Sequence, residues 1–271
     1  MDNERMRLEI SDEIGRVTFC RPEAANAIDL AFAREFERTA FECLENQVRV
    51  VLMSADGSQF CAGGDVKSFN AQPDIPNHIA EVTTHLHSGI TTFVQMDAPV
   101  IASVQGSAAG AGLGLVCAAD LAIASDSAKF LMAYTALGLS PDGSSSWFLP
   151  RHVGLRRAIE LTLTNRVLTA DEALSWGIVS RVVADNELSR VSEDLASSIS
   201  AGPTAAYGAS TRLLRAATND SLIDHLAEES RSIASLSGTV DGVEGIRAFA
   251  ERRRATFVGT EQSPMANRDP Q

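Results

Sequence analysis

Apolar and polar positions alternate in MRLEI (6–10) and GRVTFC (15–20) on either side of the turn-like SDEIG, which predicts a β-hairpin at the start of the chain. In LAFAREFERTAFECLEN, Phe32, Phe36, Ala40 and Cys43 then recur at helical spacing behind Asp29, a capping residue type, and RVVLMS (49–54) reads as a buried strand. A helix is predicted over 77–96, strands over PVIASV (99–104) and DLAIAS (120–125), and between them a Gly-rich turn entering an apolar helix. From Ser144 onward the pattern is helical except for IVSRVV (178–183). Helices are predicted over Thr169–Trp176, Asn186–Ser200, Pro203–Thr218, Ser221–Ser235 and Gly242–Arg254. The fold class is therefore α/β, with strands concentrated in the first half and helices in the second.

Composition narrows the function classes. The 271 residues are 45% hydrophobic and carry a formal net charge of −12, a balance that argues against nucleic-acid or anionic-membrane partners, which demand clustered basic residues. The start MDNERMRLEI lacks the basic and apolar segments of a signal peptide, and no run approaches a membrane span, so a cytoplasmic location is expected. Cys20, Cys43, Cys61 and Cys117 are scattered without a CxxC pair, and His85 and His87, two apart on a helix, face different ways. Neither a disulfide framework nor a metal site is expected.

Two turns carry candidate chemistry. Strand 99–104 runs through Gly106-Ser107-Ala108-Ala109-Gly110-Ala111-Gly112-Leu113-Gly114 into a helix, gathering unpaired N–H groups and a dipole end where a ligand can approach. Leu115 stands where a dinucleotide fingerprint would need its third glycine, and no Walker lysine follows. The second turn, Ser58-Gln59-Phe60-Cys61-Ala62-Gly63-Gly64-Asp65, also ends at a helix start, with Asp65 as N-cap. N–H donors converging from two loops suit an oxyanion. Close packing of a small-residue helix against the sheet is the structural alternative.

These segments resemble the crotonase (enoyl-CoA hydratase/isomerase) superfamily over nearly the whole chain: Arg21-Pro22 through Asn26-Ala27, Phe60-Cys61-Ala62-Gly63-Gly64-Asp65, Pro99-Val100-Ile101-Ala102 through Asp120, Ser127-Ala128-Lys129-Phe130, Leu137-Gly138-Leu139, Trp176-Gly177, and Glu244-Gly245 with Ala248-Phe249. The resemblance implies a ββα spiral acyl-CoA-binding core (1–200) and a C-terminal helical trimerisation region (201–257), while the polar end of the chain (258–271) is expected to be a disordered tail. It implies a homotrimer or dimer of trimers, an acyl-CoA thioester substrate and no separate cofactor. It makes the N–H groups of Gly64 and Ala111 the oxyanion donors. Ala25, Ala62, Asp65 and Val66 fall on the adenine and pantetheine path, with Lys67 or Arg21 at the phosphates.

The reaction depends on side chains around the thioester. Gly114 and Tyr134 occupy the places of the family's two hydratase glutamates, so ordinary water addition lacks its acid and base. Asp142, in Leu139-Ser140-Pro141-Asp142-Gly143, matches the catalytic aspartate of isomerases and of 4-chlorobenzoyl-CoA dehalogenase, with Leu137, Leu139 and Trp147 as apolar surroundings. Locally the same residue could simply cap the helix beginning at Ser144. The resemblance favours double-bond isomerisation, closest to the 1,2-epoxyphenylacetyl-CoA isomerases. The alternatives are dehalogenase-like or thioesterase hydrolysis by Asp142 with His87, which matches the dehalogenase histidine, and a non-catalytic acyl-CoA-binding homologue.

Overall fold

A computed structural model describes residues 4–259. The opening hairpin is β1 (Met6–Ser11) and β2 (Ile14–Phe19), joined through Asp12 and Glu13, which both adopt positive φ as a tight hairpin turn requires. Helix α1 (Leu30–Glu45) begins where the Asp29 carboxylate accepts the Phe32 N–H at 2.8 Å. Next come β3 (Val50–Ala55), the short α2 (Val66–Asn70) and α3 (Ile75–Gln95), capped by Asp74. Then follow β4 (Val100–Val104), β5 (Ser107–Ala109), α4 (Ala111–Ala118), β6 (Leu121–Ser125) and β7 (Lys129–Leu131).

The helical half contains α5 (Ser145–Val153), α6 (Leu155–Thr164), the two-residue β8 (Leu168–Thr169), α7 (Ala170–Trp176), β9 (Arg181–Val183), α8 (Leu188–Ser200), α9 (Thr204–Ala216), α10 (Leu222–Ser237) and α11 (Val240–Ala250). Helix α11 starts and ends earlier than its periodicity predicts, because Thr239 takes the Gly242 N–H as cap and Arg252 turns left-handed at the far end.

Two sheets form the frame. The larger has the order β1-β2-β3-β4-β6-β9, parallel from β2 onward, and the smaller has the order β5-β7-β8. One core face packs Phe19, Phe32, Phe36, Phe60 and Phe93 in a chain of ring contacts 5.0–6.2 Å apart. The opposite face of the large sheet buries Ile14, Val50, Leu52 and Ile101 against Ala196 of α8. Arg49 ties the C-terminal segment back to the sheet by donating to the carbonyls of Gly202 and Phe257. The N–H groups of Val258 and Gly259, the first two residues of the expected tail, are held by the Asp241 carboxylate at 2.7 and 2.9 Å. The rest of that tail, 260–271, lies outside the described residues.

Candidate active site

The two turns singled out in the sequence lie side by side, and main-chain bonds hold them there. Cys61 N–H donates to Ser107 O at 3.1 Å and Ala109 N–H to Cys61 O at 2.9 Å, a parallel bridge between the loops. Gly63 adopts φ +86°. A Cβ on it would lie 2.8 Å from Ala109 O and 3.5 Å from the Ala111 nitrogen, so only glycine lets the loop pass this close to the head of α4. Ile28 donates to Gly63 O and accepts from Asp65 N–H, gripping the residues on both sides of Gly64. No acceptor among the described residues takes the Gly64 or Ala111 N–H. Both residues line one cavity of about 410 Å³. Beneath them the Cys61 thiol is wholly enclosed, and burial pushes its pKa up to about 12, so it stays protonated.

Apolar side chains make up most of the wall. Helix α3 contributes Ile79, Val82, Thr83, Leu86 and His87, one face at i, i+3, i+4, i+7 and i+8, joined by Ile28, Val66, Phe69, Leu137 and Leu139. Trp147, expected among them, lines a different cleft of about 620 Å³ between α5 and α9, where the Arg151 guanidinium lies 3.6 Å over its ring. That larger cleft is away from the Gly-rich loops and holds none of the residues expected to do chemistry.

Asp142 enters the same cavity as the free N–H groups. It does not cap α5 with its side chain: Ser144 is the cap residue, without a side-chain bond, and Ser145 N–H and Oγ reach the Asp142 carbonyl at 3.0 and 2.7 Å. The carboxylate accepts the Tyr134 hydroxyl at Oδ1, 2.5 Å away, while Oδ2 is 4.0 Å from His87 Nε2. His87 Nε2 also accepts the Gly143 N–H at 3.3 Å, which places the proton of a neutral ring on Nδ1. Burial and then the neighbouring Asp142 charge push the Tyr134 phenol well above its ordinary range, so it stays protonated and donates to the carboxylate. His85 points the other way and meets Glu37 of α1.

Gly114 explains how Asp142 comes so near. A Cβ there would stand 2.2 Å from the Gly143 carbonyl oxygen, so the 141–144 turn lies directly against bare backbone of α4. Periodicity signals neither this contact nor Tyr134 as the carboxylate's partner; the resemblance points to the latter, since Tyr134 stands where 4-chlorobenzoyl-CoA dehalogenase has a tryptophan that contacts its aspartate. The Gly114 contact joins α4 to a distant turn, and the Tyr134–Asp142 bond spans eight positions of irregular chain that carries no period.

At the rim, the Ala62 N–H donates to Ala25 O at 3.0 Å, and Ala62, Val66 and Lys67 are exposed. Lys67 enters no ion pair among the described residues. Arg21, expected beside a phosphate, is instead turned inward: one guanidinium nitrogen lies 2.7 Å from Asp65 and 3.0 Å from Asp29. Asp65 also caps α2 by accepting the Ser68 N–H. Burial would raise the Asp65 carboxyl, but the Ser68 N–H and the Arg21 guanidinium outweigh it and hold the group below the usual carboxylate range.

The chain matches the enoyl-CoA hydratase/isomerase family across residues 9–260. It belongs to that family. Among enoyl-CoA hydratase/isomerase relatives, it is 33% identical to a "Probable enoyl-CoA hydratase" of Rhodobacter capsulatus, covering 96% of this chain and 100% of the relative. It is 34% identical to 1,2-epoxyphenylacetyl-CoA isomerase of Escherichia coli (90% and 94% covered) and 31% identical to 4-chlorobenzoyl coenzyme A dehalogenase-2 of an Arthrobacter species (92% of each). An enoyl-CoA hydratase structure from Mycobacterium smegmatis superposes with TM-score 0.86 at 30% identity, over 93% of this chain and 98% of that one. The two-sheet frame with its helical C-terminal region is thus the crotonase fold, and the 410 Å³ cavity is the candidate acyl-CoA site of a family member.

Proposed function

We propose that this enoyl-CoA hydratase/isomerase family member moves a carbon–carbon double bond within an acyl-CoA thioester, using Asp142 as acid and base and the N–H groups of Gly64 and Ala111 as oxyanion donors. The observation that carries this reading is the shared cavity: one carboxylate and two unpaired main-chain donors face the same apolar space. Asp142 Oδ2 takes a proton from the carbon next to the thioester carbonyl of a 3-enoyl-CoA. The electron pair moves into the carbonyl, and the resulting dienolate oxygen is met by the two N–H groups. The same proton inventory then reforms a C–H bond two carbons along, which leaves a conjugated 2-enoyl product. One removed oxyanion donor typically costs ~3 kcal/mol of barrier, so the paired donors are a large part of the catalysis.

Water addition is disfavoured by the same cavity. Gly114 leaves no room for a side chain beside Gly143, and the Tyr134 phenol cannot serve as a base near neutral pH. Hydrolysis after nucleophilic attack by Asp142 is the second reading, favoured by His87 Nε2 lying 4.0 Å from Asp142 Oδ2, within reach of a shared water.

No helix of the described residues is long and apolar enough to cross a membrane, in keeping with a cytoplasmic enzyme. Assembly into trimers is supported by the exposed apolar side chains of the C-terminal helices, among them Leu214, Ile223, Ile233 and Phe249. Turnover of crotonyl-CoA, a 3-enoyl-CoA and 4-chlorobenzoyl-CoA, compared in wild type, Asp142→Asn and His87→Gln, tests the reaction. Isomerisation abolished by the Asp142 change alone supports the proton shuttle. Chloride release needing both residues establishes hydrolysis in its place, and robust crotonyl-CoA hydration overturns the reading.

A further inference from the structure

The carboxylate of Asp142 has two oxygens, and the surrounding groups treat them differently. Oδ1 receives the Tyr134 hydroxyl at 2.5 Å, whereas Oδ2 has no hydrogen-bond donor among the described residues and faces the ring of His87 at 4.0 Å. Tyr134 is itself fixed at both ends. Its N–H donates to Met132 O at 2.8 Å, and its carbonyl receives the N–H groups of Leu137 and Leu139. The hydroxyl also lies 3.2 Å from the Asp142 main-chain oxygen, so it spans carboxylate and backbone of one residue.

We propose that Tyr134 is a positioning residue that pins Oδ1 of Asp142 and leaves Oδ2 as the single oxygen that collects and returns the substrate proton. This rests on the isomerase reading above. A carboxylate free to rotate about χ2 presents either oxygen at varied angles, and the clamp removes that freedom. When Oδ2 gains the proton, Oδ1 remains an acceptor, so the Tyr134 bond persists through the cycle and the carboxyl group keeps its orientation for proton return.

The turn does not depend on this bond for its backbone position. The Asp142 carbonyl keeps the Ser145 N–H and Oγ, and Gly143 N–H stays on His87. Tyr134→Phe therefore removes the clamp while leaving the ring packing and the loop in place. With a 3-enoyl-CoA, the variant is expected to lose about 10- to 100-fold in kcat, the scale of a lost hydrogen bond to a charged group, with KM changed far less. Thioester binding by calorimetry should stay near the wild-type value, since the clamp acts on the carboxylate and not on the ligand. A merely structural role predicts that thioester binding and folding stability fall together with kcat.

A second readout does not require turnover. In the ¹H NMR spectrum of the wild-type protein, the Tyr134 hydroxyl proton should appear downfield of the amide signals and vanish in both Tyr134→Phe and Asp142→Asn. Absence of that signal in the wild type, or an unchanged kcat in Tyr134→Phe, overturns the clamp. If the signal behaves as expected but no 3-enoyl-CoA is isomerised by the wild type, the isomerase reading fails and the clamp stands.

Discussion

The two walls of the cavity are made from different materials. The oxyanion wall is main chain: the Gly64 and Ala111 donors are placed by a bridge between two loops, and the left-handed positions beside them, Gly63 and Gly110, are glycines. The acid–base wall, residues 132–145, is built from side chains on a turn, with Ala133 and Ser144 held at φ +61° and +65° where a Cβ is disfavoured. Non-glycine residues in that region cost of order 1 kcal/mol or more and gather where function fixes the backbone. In the proposed reaction the first wall stabilises the thioester oxyanion, and the second decides what happens to it. Swapping side chains on the second wall therefore changes the reaction without rebuilding the first.

The strongest way to break this contrast is to neutralise the acid–base wall alone. Asp142→Asn is expected to lower 3-enoyl-CoA isomerisation by about 10²- to 10⁴-fold, the usual share of a general acid–base group, with thioester binding by calorimetry nearly unchanged. Full activity in that variant removes Asp142 from the mechanism. Gly114→Ala attacks the seam between the walls. Its methyl would meet the Gly143 carbonyl oxygen at 2.2 Å, so overpacking should cost about 1–3 kcal/mol in denaturant unfolding and reduce isomerisation by displacing the turn. Wild-type stability and rate would mean that the turn moves freely and the seam is unimportant.

Arg21→Met tests whether the rim is held by charge pairing. It leaves the Asp29 and Asp65 carboxylates without the cation between them, and about 2 kcal/mol of stability should go, less than for a fully buried pair because all three side chains are slightly exposed. The Asp65 pKa gives this a pH signature. A carboxyl held lower in the folded state than in the unfolded chain adds stability above its unfolded value, about pH 4, and that contribution is lost as pH falls through the folded value. Stability of Asp65→Asn should accordingly fall less steeply than wild type below pH 4; parallel curves would show that Asp65 carries no linkage. The smallest effect is expected for His87→Gln, about twofold on isomerisation, because a glutamine carbonyl can still accept the Gly143 N–H. A loss as large as that of Asp142→Asn would favour hydrolysis by the pair.

The long elements were legible because their signals are periodic. Helix α1 and its Asp29 cap, β3, β4 and β6 fall within a residue or two of where alternation and helical spacing put them. Strands β5, β7 and β8, three residues or fewer, hold too little of a period to be read, yet they make the second sheet on which the Gly-rich loop rests. Arg21 read as a free cation because its partners Asp29 and Asp65 lie 8 and 44 positions away, and Trp147 read as a pocket residue because nearness in sequence to Asp142 says nothing about which side of α5 it faces.

By itself, then, the sequence determined the α/β character, the two Gly-rich loops and membership of the enoyl-CoA hydratase/isomerase family, since hydrophobic period and glycine placement are local properties of the chain. The tertiary structure decided which side chains meet: the Tyr134 hydroxyl on Asp142, the Gly143 turn against Gly114, and Arg21 turned in between two carboxylates. Those contacts depend on how separate segments pack, and a side chain a few ångströms away in space leaves no periodic trace along the chain.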